Sequence, residues 1–410
     1  MPPYYCVLLA MSEPISSINA TVDSTTDIAA TKSPTRIAII GAGLTGLITA
    51  TLLERKFAEL GQALEIDIFE KSGGVGRLAT RYKKPVNLAE SGNSAQDKQW
   101  QFEFGAQFFT AKSSEFQQFI QPWLAQNVIT PWCAQVAQLK TTDDRTPVIS
   151  LSEQWGTAQP RYISSPKMTS WGRAIAKELQ HTTLHYKTHV APLADSHVER
   201  NTSIKTALSD SEGNALGLFD WVIITAPTVQ ANELLESSSF TFQQQIAQRK
   251  MVACYTLMLG WQDHTNLPAS IAEATWEVLE VAGTNQGANI GKLFIEHMKP
   301  QRDKVLPSIT IHADNDWSEQ HVDDIDSVKA TLLAAVQQIL GWTDSQAPDH
   351  IDCHRWRYAA TAAHSQTPPT LYSDQEKQWI VSGDWCGQGR IESCYQQAAL
   401  SVATIGNAQV

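Results

Sequence analysis

A glycine-rich segment is the first feature of the sequence whose residue types and spacing could do chemistry. GAGLTG, residues 41–46, matches the pattern G-x-G-x-x-G and follows the apolar run RIAII at 36–40. Gly41 allows a tight turn out of a strand, Gly43 lets the backbone approach a pyrophosphate, and Gly46 permits close packing of a helix on the strand. The free N–H groups at the start of that helix would then meet the phosphates. The spacing therefore predicts a dinucleotide site.

An acidic residue at the end of the next predicted strand supports the same site. Glu70 follows the apolar run 64–69 and is placed to accept hydrogen bonds from ribose hydroxyls. An acid here favours an unphosphorylated adenosine ribose, and so NAD or FAD rather than NADP. The segment EKSGGVGRLATR at 70–81 adds glycines and arginines, and Arg77 is suited to pair with a pyrophosphate oxygen. Because an NAD dehydrogenase has no need of this element, it favours FAD.

A second segment of the same chemical type lies near the C-terminus. A predicted strand at 379–382 leads into the loop GDWCGQGR and a helix from about Glu392 to Ile405. Asp384 is suited to accept hydrogen bonds from ribityl or sugar hydroxyls. The N-terminus of the helix, at 390–392, would direct free N–H groups at a flavin and stabilise the negative charge of the reduced ring. Both ends of the ordered chain are thus expected to meet at one flavin.

The elements that position these segments follow alternating helical and strand patterns. Residues 36–40, 44–60 and 64–69 have the pattern and size of one βαβ crossover. The alternation of apolar and polar residues over Trp100–Phe109 predicts a single strand. The remaining predicted elements are strands at 78–82, 220–225, 252–261, 292–297 and 308–312, a helix over 327–340 that Gly341 stops, a hairpin tip over 84–99, and a surface loop or ragged hairpin over 141–160.

Composition excludes several classes of protein. Residues 1–34 are rich in Ser, Thr, Asp and Ala without a helical or strand period, and are interpreted as a disordered leader. The net charge of −11 argues against binding to nucleic acid or to an anionic membrane. No apolar run approaches the roughly 18 residues of a membrane helix. The six cysteines never form a Cys-x-x-Cys pair, which disfavours a metal site and fits a reducing cytoplasm.

Several stretches resemble a known family. They are FEFGAQFFTA (102–111), which is similar to a segment that passes a flavin ring, RYISSPKMTSW (161–171), HRWRYA (354–359), SGDWCGQGRIESCYQQA (382–398), and the shorter HVAPL (189–193) and WVIITAPTVQA (221–231). Together with the glycine motif they resemble flavin-dependent amine-oxidase-like proteins, and within these the bacterial renalase-like oxidoreductases. The resemblance extends from Arg36 to the C-terminus, with departures at Val75 and at Ser393-Cys394.

The resemblance implies the fold class and its division into domains. The fold expected is α/β, with a Rossmann-type FAD-binding domain of the p-hydroxybenzoate hydroxylase-like or amine-oxidase-like kind and an inserted, mostly antiparallel substrate domain. The FAD-binding domain would be discontinuous and comprise residues 35–110, 161–240 and 376–410. The substrate-binding domain would comprise residues 111–160 and 241–375.

The motifs and the resemblance together give two sets of candidate site residues and assign no catalytic residue and no metal ligand. Those expected to bind FAD are Gly41, Gly43, Leu44, Thr45, Gly46, Glu70, Lys71, Gly76, Arg77, Gly105, Ala106, Gln107, Val190, Ala226, Pro227, Gly383, Asp384, Arg390, Ile391 and Glu392. Those expected to bind substrate are Phe108, Phe109, Thr110, Tyr162, Trp356 and Trp385, with the Gln107 amide suited to a substrate carboxamide. His354 is interpreted as structural, and Lys299 and Arg302 as an exposed, solvated basic pair.

The resemblance implies a reaction of the renalase type. A small-molecule substrate, a 2-dihydro or 6-dihydro isomer of NAD(P)H, would give its hydride to the flavin, and oxygen would be reduced to hydrogen peroxide as NAD(P)+ forms. Such a substrate becomes aromatic without losing a proton, so placement at roughly 3–3.5 Å would matter more than a general base. Two alternatives stay open: an amine oxidase or desaturase, for which Lys250 is the candidate lysine near the flavin, and a non-catalytic protein that binds FAD or a nucleotide.

Overall fold

The computed structural model describes most of the chain in seven stretches. They are residues 33–85, 98–141, 147–195, 197–200, 203–281, 289–362 and 371–408. Residues 1–32 of the predicted leader and 86–97 of the predicted hairpin tip lie outside them. Within these stretches, no helix combines the length and the apolar character needed to cross a bilayer.

The first sheet grows from the predicted strand–helix–strand unit, which is confirmed as β1 (Thr35–Ile40), α1 (Leu44–Leu60) and β2 (Leu64–Glu70). The complete strand order is β10 (Thr182–Tyr186), β2, β1, β14 (Trp221–Ile224), β21 (Trp379–Val381) and β20 (Tyr372–Asp374). Neighbouring strands are parallel except β20 and β21. β1 and β21 therefore flank β14, which brings the beginning and the end of the described chain into one sheet.

Both faces of this sheet are covered, as parallel strands require. In β1, Ile37 and Ile39 face a core that includes α1 and α9 (Ile391–Ala408), which pack against each other. Ala38 and Ile40 face a second core on the opposite side. This division explains why the sequence of β1 is apolar throughout rather than alternating.

The second large sheet has seven strands and is mostly antiparallel. Its order is β19 (His350–Thr361), β15 (Met251–Gly260), β18 (Ser308–Ala313), β17 (Ile290–Ile295), β16 (Val278–Glu280), β7 (Gln135–Thr141) and β8 (Pro147–Gln154), and β16 and β7 are the parallel pair. Tyr255, Leu257 and Leu259 of β15 face a core shared with α8 (Ile325–Leu340). Cys254 and Thr256, on the other face, line a cavity. The alternation along β15 thus separates a packing face from a functional face.

Three small sheets and the remaining helices connect the two large sheets. The small sheets are β3 (Arg81–Lys83) with β4 (Trp100–Phe102), β5 (Phe109–Thr110) with β9 (Arg161–Ser164) and β6 (Ile129–Trp132), and β11 (His197–Arg200) with β12 (Ser203–Ser209) and β13 (Ala215–Phe219). The other helices are α2 (Ser114–Ala125), α3 (Thr169–Glu178), α4 (Thr228–Leu235), α5 (Gln243–Ala247), α6 (Ala269–Ala272) and α7 (Asn315–Gln320).

Most of the predicted elements are confirmed with small shifts at their ends. Within the surface loop or ragged hairpin predicted over 141–160, Pro147–Gln154 form β8 and pair with β7, and residues 142–146 lie outside the described residues. α8 ends at Leu340 because Gly341 adopts a left-handed conformation with φ 69°. The strand predicted at 292–297 ends at Ile295, since the next three residues form one turn of 3₁₀ helix.

The single strand predicted over Trp100–Phe109 is wrong. β4 ends at Phe102 and β5 begins at Phe109, and residues 103–108 lie between them outside any strand. The alternation misleads because its polar members, Glu103 and Gln107, are buried and bind distant side chains rather than facing solvent. Gly105 also packs directly on the backbone of Arg77, where an added Cβ would lie 2.1 Å from the carbonyl oxygen.

Glu392 joins the start of α9 to the segment that leads into α2. Its carboxylate accepts hydrogen bonds from the backbone N–H groups of Lys112 (2.9 Å) and Ser113 (2.8 Å). Burial acts to raise the pKa of Glu392, but these hydrogen bonds outweigh it and the pKa lies below its ordinary value. Stability from this group is therefore present above the ordinary pKa of 4.5 and is lost as the pH falls through the lowered value.

We expect Glu392→Gln to lower the free energy of unfolding by about 1–3 kcal/mol at pH 7, because it removes two charge-assisted hydrogen bonds. The difference from the unsubstituted protein should shrink as the pH falls below 4.5, and urea unfolding followed by circular dichroism between pH 3 and 7 measures it. Glu115→Gln, at an exposed acid in α2, is the control. A difference for Glu392→Gln that does not change with pH would contradict the assignment.

Candidate functional site

A cavity of about 1000 Å³ lies where the two large sheets meet. Its lining includes residues that follow the carboxyl ends of β1, β2, β14 and β21, which is where parallel α/β sheets bind ligands. The opposite wall comes from β15, β17, β18 and β19 of the seven-stranded sheet. The volume is at the upper end of the usual range for small-molecule and cofactor sites.

Seventeen of the residues predicted to bind FAD line this cavity. They are Gly41, Gly43, Leu44, Thr45, Glu70, Lys71, Gly76, Arg77, Gly105, Ala106, Gln107, Val190, Ala226, Pro227, Asp384, Arg390 and Ile391. The other three, Gly46, Gly383 and Glu392, do not line it. Gly46 packs on the backbone of Gly41, which lines the cavity, while Gly383 packs on Trp385 and Glu392 binds the backbone of Lys112 and Ser113.

The turn between β1 and α1 presents backbone N–H groups to the cavity. Gly41 adopts φ 114°, a conformation that favours glycine, and an added Cβ there would lie 2.7 Å from the Thr225 hydroxyl. A Cβ on Gly46 would lie 2.1 Å from the Gly41 carbonyl oxygen, so this glycine sets the distance between turn and helix. Gly43 caps α1 without a side-chain hydrogen bond. The helix N-terminus is therefore free to bind an anion.

Three of the charged residues predicted to bind the cofactor, Glu70, Arg77 and Asp384, are already oriented by neighbouring groups. Glu70 accepts hydrogen bonds from the N–H of Ala42 (2.9 Å) and from the N–H (2.8 Å) and hydroxyl (2.6 Å) of Ser72. Arg77 forms an ion pair with Asp384 at 2.5 Å and donates to the carbonyl of Ala359 at 2.9 Å. The Arg77–Asp384 pair links the loop after β2 to the loop after β21 at the cavity wall.

The N-terminus of α9 reaches the cavity as the sequence predicts, with Arg390 and Ile391 in the lining. Cys394, one turn later, also lines it, and burial raises the pKa of this thiol to about 12. Gly383 and Trp385 lie behind the lining: an added Cβ on Gly383 would lie 2.5 Å from the Trp385 indole nitrogen, which donates to the carbonyl of Ala226 at 3.0 Å.

Only two of the six predicted substrate residues, Phe108 and Trp356, line the cavity. Phe109 and Tyr162 face each other across β5 and β9, and Phe109 stacks on Trp171 with ring centroids 5.0 Å apart. These aromatic rings belong to the main core, while Trp385 supports Ala226 and Thr110 pairs with Arg161 in the same small sheet. The structure therefore places Phe109, Thr110, Tyr162 and Trp385 outside the described lining, the first three in the small sheet of β5 and β9 and Trp385 behind Ala226.

The wall on the side of the seven-stranded sheet includes residues that the sequence analysis missed. They include Cys254 and Thr256 on β15, Lys292 and Phe294 on β17, His312 on β18, Arg357, Tyr358, Ala359 and Ala360 on β19, and Asn315 at the start of α7. The period of two along β15 and β17 was the available signal, since it places these pairs on one face. Which face meets the cavity depends on how the sheet packs. His354, interpreted as structural, is outside the lining and packs edge-to-face on Phe104 at 4.8 Å.

Lys299 and Arg302 are buried, which corrects the prediction of an exposed basic pair. Lys299 contacts Glu296 at 2.7 Å and Arg302 contacts Glu103 at 3.1 Å, and all four side chains are at most 1% exposed. We call these four residues the buried charge cluster. It borders the cavity through Gln107, whose amide oxygen accepts from the Lys299 ammonium at 2.5 Å. Lys250, the candidate lysine for amine chemistry, is exposed and is not part of the cavity lining.

Comparison with known families agrees with this geometry. Residues 39–123 match the NAD(P)-binding Rossmann-like domain. Residues 168–405, more than half of the chain, match the flavin containing amine oxidoreductase family. The chain belongs to the flavin containing amine oxidoreductase family. It is a flavin-dependent oxidoreductase, and its cofactor is FAD.

Solved structures with the same fold include several oxidases. A putative protoporphyrinogen oxidase from Exiguobacterium sp. 255-15 superposes with a TM-score of 0.64 at 12% identity, over 92% of this chain and 99% of that chain. A triple mutant of putrescine oxidase gives a TM-score of 0.61 at 11% identity, over 92% and 100%. Cyclohexylamine oxidase from Brevibacterium oxydans IH-35A gives 0.59 at 13% identity, over 92% and 99%. These similarities confirm the predicted α/β fold class with its Rossmann-type domain.

The residues of this oxidoreductase suit FAD chemically. The free N–H groups of α1 are available for a pyrophosphate, and Glu70 is an acceptor for ribose hydroxyls. Gly105 and Ala106 bring the backbone of 103–108 to the cavity wall, where the N–H of Ala106 donates to the Arg77 carbonyl at 2.8 Å.

We expect Gly105→Ala to lower the free energy of unfolding by about 1–3 kcal/mol and to weaken FAD retention, because the new methyl group must push residues 103–108 away from the Arg77 backbone. Thermal unfolding and the ratio of flavin to protein absorbance after gel filtration measure the two effects. Gly74→Ala is the matched control, since no heavy atom lies within 4 Å of a Cβ there. Equal stability and flavin content in the two variants would show that the contact at Gly105 is unimportant.

Proposed function

We propose that this oxidoreductase oxidises dihydronicotinamide isomers of NAD(P)H, the 2-dihydro and 6-dihydro forms, to NAD(P)+. The overall reaction consumes the isomer, oxygen and a proton and yields NAD(P)+ and hydrogen peroxide. FAD supplies the hydride acceptor and passes the electrons to oxygen. The observation that carries the proposal is the composition of the wall opposite the FAD-binding segments, which is aromatic, neutral or cationic.

The charges on the two sides of the cavity differ. The acidic residues of the described lining, Glu70, Glu233, Glu236 and Asp384, all belong to segments that follow strands of the six-stranded sheet. The described lining from the seven-stranded sheet and α7 contains no Asp or Glu. Its charged residues are Lys292 and Arg357, which pair with Glu280 at 2.6 Å and with Asp323 at 2.5 Å, both outside the lining. This side of the cavity therefore offers no carboxylate to a protonated amine.

Aromatic rings on the same side suit a flat substrate. Phe108, Phe294 and Trp356 line the cavity, and Trp356 is fixed by a hydrogen bond from its indole nitrogen to the Phe104 carbonyl at 2.7 Å. Rings of this kind hold a planar nicotinamide by stacking and edge contacts. Because the isomers become aromatic on losing hydride alone, the protein needs to orient the ring rather than remove a proton.

The site residues and domain boundaries follow from the same proposal. The seventeen lining residues given above would hold FAD, and Phe108 and Trp356, joined by Phe294, His312 and Lys292, would hold the substrate. Residues 35–110, 161–240 and 376–410 would form the FAD-binding domain, and 111–160 and 241–375 the substrate-binding domain. The seven-stranded sheet supports this division, because its described strands all fall within the second set, and the strands of the six-stranded sheet fall within the first set except β20, which lies just before the boundary at residue 376.

Amine oxidation is the second candidate, and membership of the amine oxidoreductase family favours it. Similarity of fold to cyclohexylamine oxidase and putrescine oxidase is in keeping with an amine substrate. The cavity offers Lys292 in its lining in place of the exposed Lys250. The lack of a carboxylate in the described lining from the seven-stranded sheet opposes this candidate for any amine that is protonated when it binds.

We expect anaerobic mixing with the 2-dihydro and 6-dihydro isomers to bleach the flavin band at least about tenfold faster than NADH, cyclohexylamine or putrescine does, a difference of about 1.4 kcal/mol in barrier. Stopped-flow absorbance measures this, and hydrogen peroxide should form in equal amount with NAD(P)+ once oxygen is admitted. Fast bleaching by amines but not by the isomers would establish the second candidate instead. Equally slow bleaching by every compound would indicate a non-catalytic nucleotide-binding protein.

Lys292, a cation in the cavity lining, gives this experiment a charge-specific arm. Lys292→Met should raise KM for the dinucleotide isomers by about three- to tenfold and change kcat little, because an exposed or half-buried charge contributes about 1 kcal/mol to binding an anion. The same variant should leave KM for the uncharged riboside form unchanged. Lys250→Met, at the exposed lysine outside the lining, is the matched control.

A further inference from the structure

A chain of hydrogen bonds leads from a buried ammonium group to the cavity wall. Lys299 Nζ donates to Gln107 Oε1 at 2.5 Å and to Glu296 Oε2 at 2.7 Å, and its side chain is fully buried. An ammonium group has three donors and no acceptor. The oxygen of the Gln107 amide must therefore face Lys299, and the two ends of this amide cannot exchange places without setting an N–H group against the cation.

The other end of the amide determines which nitrogen of His312 carries the proton. Gln107 Nε2 donates to the carbonyl of Glu103 and faces His312 Nε2 at 3.5 Å. Two N–H groups do not face each other at this distance, so His312 Nε2 is the nitrogen without a proton. Burial, together with the nearby cations Lys299 and Lys292, lowers the pKa of His312 to about 4, so the ring is neutral near pH 7. Its single proton lies on Nδ1.

The series of hydrogen bonds from Lys299 ends at His312, whose Nδ1 has no partner in the described part of the protein. His312 lines the cavity, and its ring packs against Phe294 with centroids 5.5 Å apart. No described residue accepts a hydrogen bond from Nδ1, whereas each earlier atom in the chain is paired. The N–H at Nδ1 is thus left for a group inside the cavity.

We propose that Lys299, acting through Gln107, holds His312 as the Nδ1–H tautomer and so makes this part of the wall a hydrogen-bond donor for a neutral acceptor oxygen on the substrate. Lys299 and Gln107 are positioning residues, and His312 is the residue that contacts the substrate. On the proposed function, on which this assignment of the oxygen rests, the acceptor is the carboxamide of the nicotinamide ring. The same arrangement prevents His312 from acting as a base, because its free nitrogen is covered by the Gln107 amide.

The tautomer is measured directly on the flavin-loaded full-length protein by ¹⁵N NMR with histidine labelling. Long-range ¹⁵N–¹H correlations distinguish Nδ1–H, Nε2–H and doubly protonated rings, and His312→Asn identifies the His312 signals among the eleven histidines. We expect a neutral Nδ1–H ring at pH 7. A neutral Nε2–H ring or a charged ring in the unsubstituted protein would overturn the proposal.

Gln107→Glu replaces the N–H group that faces His312 by an acceptor oxygen. The side chain keeps nearly the same shape and its contact with Lys299. The new carboxylate has no N–H group, so His312 should move its proton to Nε2 to donate to it. KM for the dihydronicotinamide isomers should then rise about two- to tenfold, the equivalent of one neutral hydrogen bond, with a smaller change in kcat. A His312 tautomer that does not change in this variant would overturn the proposal.

Two methionine substitutions separate positioning from general support of the fold. Lys299→Met frees the Gln107 amide and should convert the His312 signal to a mixture of tautomers, and Lys299→Arg should restore Nδ1–H. Arg302→Met is the matched control, because it removes the other buried cation of the same cluster, which contacts Glu103 but not Gln107. Both variants lose a buried ion pair, so both should unfold at lower temperature. If Lys299→Met and Arg302→Met changed the tautomer of His312 equally, Lys299 would be a structural residue and not a positioning residue.

The two proposals fail in different ways. If the isomers never bleach the flavin, the proposed function is wrong, while the NMR spectra still report the tautomer. If the isomers bleach it rapidly but His312 is an Nε2–H ring, the proposed function stands and only the present inference fails.

Discussion

The buried charge cluster is the constraint on which the packing of residues 103–108 against the seven-stranded sheet depends. Glu103 and Glu296 carry two negative charges, and Lys299 and Arg302 carry two positive charges, all withdrawn from water. Burial and the neighbouring Glu296 raise the pKa of Glu103, and the two cations oppose that shift. Since an unpaired charge at this depth costs several kcal/mol, each member requires the others. The cluster therefore fixes how residues 103–108 meet the 3₁₀ turn after β17.

That position of residues 103–108 connects the cluster to the cavity. Glu103 belongs to the cluster, Gly105 packs on the Arg77 backbone, and Gln107 and Phe108 reach the cavity wall. The phosphate end of the cavity is built from local backbone geometry, namely a glycine turn and a helix N-terminus. The opposite end of the cavity is built from side chains whose placement depends on the buried charge cluster, which lies between residues 103–108 and the turn after β17. Residues 103–108 thus determine how the two ends of the cavity are positioned relative to each other.

Features built from local backbone geometry could be predicted from the sequence, and features that depend on distant side chains could not. The β1–α1–β2 unit, Glu70 and the α9 N-terminus were predictable, because glycine spacing and apolar periodicity act within about thirty residues of the chain. The strand over Trp100–Phe109 was mispredicted because the buried polar partners of Glu103 and Gln107 lie near residue 300, beyond any local pattern. Burial of Lys299 and Arg302 was missed for the same reason. Phe294 and His312 were missed because strand alternation gives two faces but does not say which one meets the cavity.

The two candidate reactions differ in whether the described wall must take up a proton. Around the substrate side of the cavity, the free nitrogen of His312 faces the Gln107 amide, and Lys299 is committed to Glu296 and Gln107. Burial raises the pKa of Cys254 to about 12, so this thiol stays protonated near neutral pH and does not serve as a base. Lys292 is paired with Glu280 at 2.6 Å. A wall in which the basic groups are occupied suits a substrate that gives up hydride and becomes aromatic without losing a proton. The same wall would leave an amine without an acceptor for the proton that its oxidation releases, which is the reason for proposing the dihydronicotinamide isomers as substrates.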